Sequence, residues 1–288
     1  MYLPEKMLQL IELTEDQIVT AYEKDLNIVV HVERWNEKKR KLDVSFGGFT
    51  GIIPESHITN YPIKDERVLR GKINRLIGMN VACKILRIDK NKKRLVLSRA
   101  NSMKEAFEYF KENPYIENAY VMNIIENTAF VDVGFGVKGK INYHNFTYCK
   151  YNTLKEAGCQ ENRIYPMKIT GMTSTGEIFK LSHRQAVYLR DFKIASELKK
   201  GDIIRCRIGE QLEDRSGYFI DFLPNIAGIV DTIKYDYLVD SSGKKCRDDA
   251  IPPLEYGKYA NIFIKEICKD KKGRTKIRGR FVEYCDWT

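Results

Sequence analysis

The sequence predicts an all-β chain with connecting helices, built as three small five-stranded barrels in series. Three observations predict it. A segment recurs, imperfectly, three times at a period of roughly 80 to 95 residues, longer than the repeats of a solenoid. Inside each copy apolar residues alternate in short runs broken by Gly clusters, as in Ile28, Val30 and Val32 or Val81, Cys83 and Ile85, which is the pattern of strands joined by tight turns. Between copies the spacing switches to that of helices. Five runs per copy are too few for a sandwich and suit the five-stranded Greek-key barrel, the OB-fold.

The elements follow in order. Residues 1–14 form an N-terminal segment with Met7, Leu8, Leu10 and Ile11 on an apolar side. Copy one (15–100) carries LDVSFGGFTGIIPES from Leu42 and closes with Val81 to Ala100, two alternating runs around a charged turn. A helix spans 101–113, opened by a capping box at Ser102-Met103-Lys104-Glu105 and ended by Asn113-Pro114. Copy two (114–184) carries AFVDVGFGVKGKI from Ala129 and closes with IFKLSHRQA from Ile178. A second helix (185–199) shows an apolar stripe of Val187, Leu189, Phe192, Ile194, Ala195 and Leu198. Copy three (200–288) carries YFIDFLPNIAGIV from Tyr218 and closes with Tyr259 to Val282. Insertions at Tyr143 to Pro166 and Lys234 to Tyr256 fall between the third and fourth strands of copies two and three.

Composition narrows the partner. A net charge of +10 and a pI near 9.1 favour a polyanion, with nucleic acid the leading candidate. The basic residues are bunched: Lys38 to Lys41, then Lys90, Lys92, Lys93 and Arg94, then a dense run with Lys269, Lys271, Lys272, Arg274, Lys276, Arg278 and Arg280. Alternation puts Lys276, Arg278 and Arg280 on one face of the last strand, where phosphates could lie along them. The seven cysteines contain no C-x-x-C pair and the four histidines lie at no zinc-ligand spacing from them, so neither a metal site nor a cofactor is expected. Dispersed, odd-numbered cysteines without a signal peptide read as reduced thiols of a cytoplasmic protein, and no apolar run is long enough to span a bilayer. Catalysis has little support, because phosphate-binding Gly loops, H-E-x-x-H, nucleophile elbows and two-metal acidic clusters are all missing from the sequence.

Aromatic residues on the outer face of a strand would serve a nucleic-acid surface. In AFVDVG, Val131 and Val133 share one face, so Phe130 shares the other with Asp132; Phe219 and Asp221 pair off likewise. Either ring is core or surface, and the costly burial of an Asp on the same face argues for surface. Tyr120 and Tyr218 are secondary candidates.

The closing run VACKILRIDKNKKRLVLS of copy one resembles, almost position by position, that of the S-one RNA-binding domain family. The resemblance extends from Glu15 to Val282, close in copy one and loosest in copy three. It implies an exposed Phe on one strand and a His on the next. Carried over, the Phe position falls on Phe130, on Phe219 and, in copy one, on Lys41; the His position falls on Asn142, Asp231 and Pro54, so no copy has both. Arg99 and Arg184 follow the family's Leu-Ser and are carried over as RNA contacts. Copy one, with GIIPES, resembles the leading repeats, which the family associates with ribosome docking.

The expectation is therefore a non-enzymatic protein that binds single-stranded RNA and acts in translation or RNA metabolism, with repeat one docking on the ribosome or another protein. Bases would stack on the aromatic rings while Lys and Arg track phosphates. Two alternatives stay open: a protein-interaction scaffold docking on ribosome or RNA-processing machinery, and an accessory factor for single-stranded DNA.

Overall fold

The computed structural model describes residues 2–46, 49–89, 93–147, 153–214, 216–231, 253–269 and 275–285. The first barrel is made of β1 (Asn27–Asn36), β2 (Lys41–Phe46), β3 (Phe49–Pro54), β4 (Asn80–Asp89) and β5 (Arg94–Ser98). They close in the order β1-β2-β3-β5-β4, the Greek key of an OB-fold. The second uses β6 (Tyr115–Ile125), β7 (Thr128–Gly134), β8 (Val137–Asn142), β9 (Ile164–Met172) and β10 (Phe179–Ser182). The third uses β11 (Ile203–Gln211), β12 (Gly217–Leu223), β13 (Ile226–Asp231), β14 (Tyr259–Lys269) and β15 (Thr275–Tyr284). Both repeat the same closed order, so the all-β, three-barrel expectation holds.

Each barrel fills its interior with the inward half of its alternating strands. Val30, Leu42, Val44, Ile53 and Leu95 are buried in the first, Val121, Val131, Ile141, Met167 and Leu181 in the second, and Ile208, Ile220, Val230 and Ile262 in the third. Burying side chains of this size stabilises by about 1.5 to 3 kcal/mol each. Tyr218, expected as a nucleic-acid contact, is one of them: it is 6% exposed, its ring sealed inside barrel three. Its place one residue from Phe219 puts it on the inward side of the pleat.

Helices α3 (Arg99–Glu112) and α5 (His183–Glu197) join the barrels. The expected capping box at Ser102 is not used. Ser98, the last residue of β5, is the N-cap and accepts the Asn101 N–H at 3.1 Å, while Ser102 is buried inside the helix. Ser182 caps α5 in the same way through the Gln185 N–H. The strand therefore runs straight into the helix, and a residue already at the strand's end supplies the acceptor. The expected stripe on α5 is also rotated: Ala186, Val187, Asp191 and Ala195 are buried, whereas Leu189 and Phe192 face solvent. Asp191 draws that face inward by accepting the backbone and side-chain N–H groups of Asn225.

Two helices were not apparent in the apolar pattern. Helix α1 (Glu15–Glu23) opens with a capping box of Thr14 and Gln17, and α2 (Glu66–Leu76), capped by Asp65, packs Leu69, Ile73 and Leu76 against barrel one between β3 and β4. The corresponding insertion of barrel two begins with α4 (Tyr143–Phe146) and reaches barrel three, the Thr147 hydroxyl donating to Asp221 at 2.6 Å and Glu156 accepting from Tyr256. The insertion of copy three lies largely outside the described residues.

The N-terminal segment docks by charge and aromatic contact as well as through part of its expected apolar side: Leu8 packs against the core of barrel two and Met7 is partly buried, whereas Leu10 and Ile11 are exposed. A single 3-10 turn, Glu5–Met7, places the Glu5 carboxylate on Arg99 at 2.5 and 2.8 Å, with both side chains about 95% buried. The Glu5 N–H donates to Asp132 at 2.7 Å, and Asp132 also accepts from Gly134 and Gly136. Tyr2 packs on Phe110 and Phe135. Barrel one, α3, barrel two and the segment thus meet at one buried cluster. Arg99, expected on RNA, is its hub, with a further hydrogen bond to the Ile58 carbonyl.

Two carboxylates and one guanidinium in this cluster would carry a net negative charge if all were ionised. Burial and the adjacent Glu5 carboxylate push the Asp132 carboxyl up to about 7. Because the folded value lies above the unfolded one, the folded state holds the extra proton between about 4 and 7, and stability falls as pH rises through that window. Urea denaturation at pH 5 and pH 8 is expected to give the lower midpoint at pH 8, and Asp132→Asn should remove most of that difference.

Of the described residues, no helix is long and apolar enough to cross a membrane. All five described cysteines are free thiols, and burial pushes those of Cys83 and Cys206 well above the usual range.

Candidate nucleic-acid interface

A glycine in the third strand of each barrel provides a common reference for its outer face. Gly51, Gly139 and Gly228 pair across to Val44, Val131 and Ile220 on one side and to Leu95, Phe179 and Ile277 on the other. A Cβ at these points would lie 2.8 Å from Val44, 2.4 Å from Leu181 and 2.2 Å from the Ile277 carbonyl, closer than packed atoms come, so only glycine fits.

Counting one residue outward from that reference gives three equivalent rows. In barrel one Asp43 pairs with Ile52 and Ile52 with Val96; in barrel two Phe130 pairs with Lys140 and Lys140 with Lys180; in barrel three Phe219 pairs with Ile229 and Ile229 with Arg278. The position carried over to Lys41 is therefore two residues off. Asp43 is the register equivalent of Phe130 and Phe219, because the strand pairing, and not the recurrence of Asp in each copy, determines which residues correspond.

The rows differ in chemistry. Asp43 is bridged by Lys41 at 2.6 Å and Arg34 at 3.0 Å. Burial alone would raise its carboxyl, but these two hydrogen bonds outweigh it and hold the group below its usual range. Barrel one consequently presents a neutralised, ring-free row, and Lys41 is committed within it. Barrel two presents a half-buried ring followed across the sheet by two lysines, Lys140 partly buried and Lys180 exposed. Sequence reasoning missed both lysines; the alternation in KGKI and FKLS was the signal that could have found them. Barrel three exposes 43% of Phe219, and Lys276, Arg278 and Arg280 all point outward along β15, as alternation requires. Arg278 is shared with Asp231, which also takes Lys265 at 2.9 Å; the two bases overcome the effect of burial and hold that carboxyl low.

The other expected residues are scattered. Tyr120 sits beside Asp132, one row from Phe130, with its hydroxyl on Asn162. Arg94 is exposed at the start of β5, pairing across to Thr50 and Asp89. Arg184 donates to the His144 carbonyl at 2.9 Å. It is not the counterpart of Arg99: with Ser98 and Ser182 as equivalent caps, that place belongs to His183, which is buried against Phe146 and bonded to the Pro166 carbonyl. Lys272 and Arg274 lie outside the described residues. Among the described residues no cluster of His, Cys, Asp and Glu could hold a metal ion.

Comparison with known proteins gives one similar sequence and similar solved structures. No family model matches the chain. It is 28% identical over 191 residues to the small ribosomal subunit protein bS1 homolog of Bacillus cereus, an alignment covering 64% of this chain and 47% of that protein; the chain spans about half the length of this relative. Among solved structures, a multidomain protein with nucleic acid binding domains from Streptococcus pneumoniae aligns over 90% of this chain and 73% of its own, at 11% identity and a TM-score of 0.27. A complex of a/eIF2alpha, aDim2p and rRNA from Pyrococcus horikoshii aligns over 30% of this chain and 60% of its own, at 16% identity and a TM-score of 0.20. The three closed barrels, in OB order, together with the similarity to the bS1 homolog, bear out the resemblance of this chain to the S-one repeat family.

Proposed function

We propose that the chain binds single-stranded RNA on the outer rows of barrels two and three, while barrel one docks on a protein or on the ribosome. The observation that carries this reading is the row of barrel two, where the Phe130 ring lies in register beside Lys140 and the row continues to Lys180 on the next strand. A flat ring supplies a stacking partner for an unpaired base, and the lysines beyond it supply charge for the adjoining phosphates. Base pairs in a duplex hide those faces, so the arrangement favours single strands. The similarity to a ribosomal protein of the small subunit supports RNA over DNA and a place in translation. Barrel one supports the docking role by its chemistry: its equivalent row carries no ring, and its acid is internally neutralised. The expectation of a protein without catalytic activity is retained as part of this proposal.

Fluorescence anisotropy with a labelled single-stranded RNA, its DNA counterpart and a duplex RNA across a salt series tests the reading. Single-strand preference with affinity persisting at high salt is the expected result; weak binding that vanishes with salt regardless of strandedness would return the chain to the scaffold alternative. In the same assay Lys140→Glu with Lys180→Glu should reduce the salt slope by about 1.4, two phosphate contacts at about 0.7 each for a single strand. An unchanged slope would take those lysines off the phosphate path.

A further inference from the structure

Helix α5 carries an unexpected surface. Tyr188 and Phe192, one turn apart, are 54% and 49% exposed although both rings are large and apolar. Their planes lie within 21° of each other with centroids 6.4 Å apart, and Lys269 of barrel three stands 5.9 Å from the Phe192 centroid. The rings line a cleft of about 380 Å³ between the second and third barrels, together with Lys168, Arg184, Gln185 and Asn225. Among the described residues that line it, none is acidic. That volume is at the lower end of the range of about 300 to 1,000 Å³ typical of small-ligand sites, and suits one nucleotide.

The cleft also lies between the two outer rows. On the barrel-two side it touches Ser182, two residues along β10 from Lys180; on the barrel-three side it touches Ile226 and Thr275, three residues from Ile229 and Arg278 on β13 and β15. A strand leaving Phe130 past Lys180 would cross this cleft before reaching Arg278 and Phe219.

We propose that the α5 cleft is a separate nucleotide site, in which a base stacks on Tyr188 and Phe192 while Lys168 and Lys269 take the flanking phosphates, so that one RNA strand runs continuously from barrel two to barrel three. Charge selects this occupant: a cleft with flat rings, basic side chains, the exposed amide of Gln185 to meet a base edge and no acid among its described lining residues fits a polyanion of unpaired bases better than a protein segment. The inference rests on the RNA-binding reading of the barrels and adds to it a site on the connecting helix.

The test uses the full chain and two labelled oligouridylates, one of about five nucleotides, within the site size of a single OB barrel, and one of about twenty-five, longer than the roughly 4 to 16 nucleotides that one barrel covers. Tyr188→Ala with Phe192→Ala is expected to weaken binding of the long strand about ten- to a hundredfold, the effect of losing one stacked base, while leaving the short strand and the thermal transition unchanged. Phe192→Leu keeps apolar bulk without a flat ring and should lose part of the same affinity; Leu189→Ala, on the solvent side of the helix, should lose none. Wild-type affinity of the double variant for the long strand would overturn the inference, leave the barrel reading intact and return the cleft to a protein partner. A lowered thermal transition in both ring variants would also overturn it, assigning the rings to the fold. If the wild-type chain bound neither oligonucleotide, the barrel reading itself would fail, and this site with it.

Discussion

Phe130→Ala combined with Phe219→Ala is expected to weaken single-stranded RNA binding by about ten- to a hundredfold per ring, since a stacked base is worth about 1 to 3 kcal/mol. Both rings stand on the outer face of their barrels, Phe130 half-buried and Phe219 43% exposed, and neither fills an interior. Their removal should therefore leave the thermal transition close to that of the wild-type chain. The single variants are expected to differ. Phe130 stands next to Lys140 in a row that continues to Lys180, whereas Phe219 stands next to Ile229, with an arginine shared with Asp231 one strand further on, so Phe130→Ala should cost the larger share. Anisotropy at two salt concentrations separates ring from charge, because stacking survives salt and phosphate contacts do not. A collapsed thermal transition in the double variant would show that the rings hold the barrels together, and would end the stacking assignment.

Arg99→Met is expected to destabilise the protein by about 3 to 5 kcal/mol, the loss that follows when one partner of a buried ion pair is removed. The Glu5 carboxylate would remain buried beside Asp132 without its cation, and the Ile58 carbonyl would lose its donor. Adding Glu5→Gln should recover part of the loss, because the uncompensated charge is then gone; urea denaturation of the two single variants and the double gives the coupling between them. The signature should be regional as well. The Phe135 N–H, bonded to the Leu3 carbonyl, is expected to exchange faster once the N-terminal segment loses its anchor. Additive losses with unchanged exchange at Phe135 would mean that the pair contributes nothing to docking the segment.

Much of this architecture was legible because it depends on patterns that sequence states directly. Alternating Val, Ile and Leu around Gly51, Gly139 and Gly228 specifies strands and the faces they bury, and the recurrence specifies three of them in series. What escaped depends on pairing across the chain. Asp43 and Lys41 both sit on the outer face of β2, and only the strand register shows which of them stands opposite Ile52. The family resemblance carries Arg99 over as an RNA contact, but its partner is 94 residues away in a segment without strong periodicity. Asp132 argued for an outward, solvated face and is on that face, yet the N-terminal segment covers it and three N–H groups satisfy it. Lys140 and Lys180 were passed over for a different reason: neither belongs to a run of charge, and they become a pair only when β8 and β10 align in parallel. Helix α5 shows the limit of periodicity itself, since one buried carboxylate, Asp191, was enough to rotate the face that an apolar count selected.

The most direct test of the central claim is a crosslinking map, made with an RNA carrying 4-thiouridine and read by mass spectrometry of the conjugated peptides. The account predicts conjugates on the β7 and β12 peptides that contain Phe130 and Phe219, lost in the respective alanine variants and competed by unlabelled single-stranded RNA but not by duplex. Conjugates confined to barrel one, or spread over every basic surface without regard to strandedness, would contradict it.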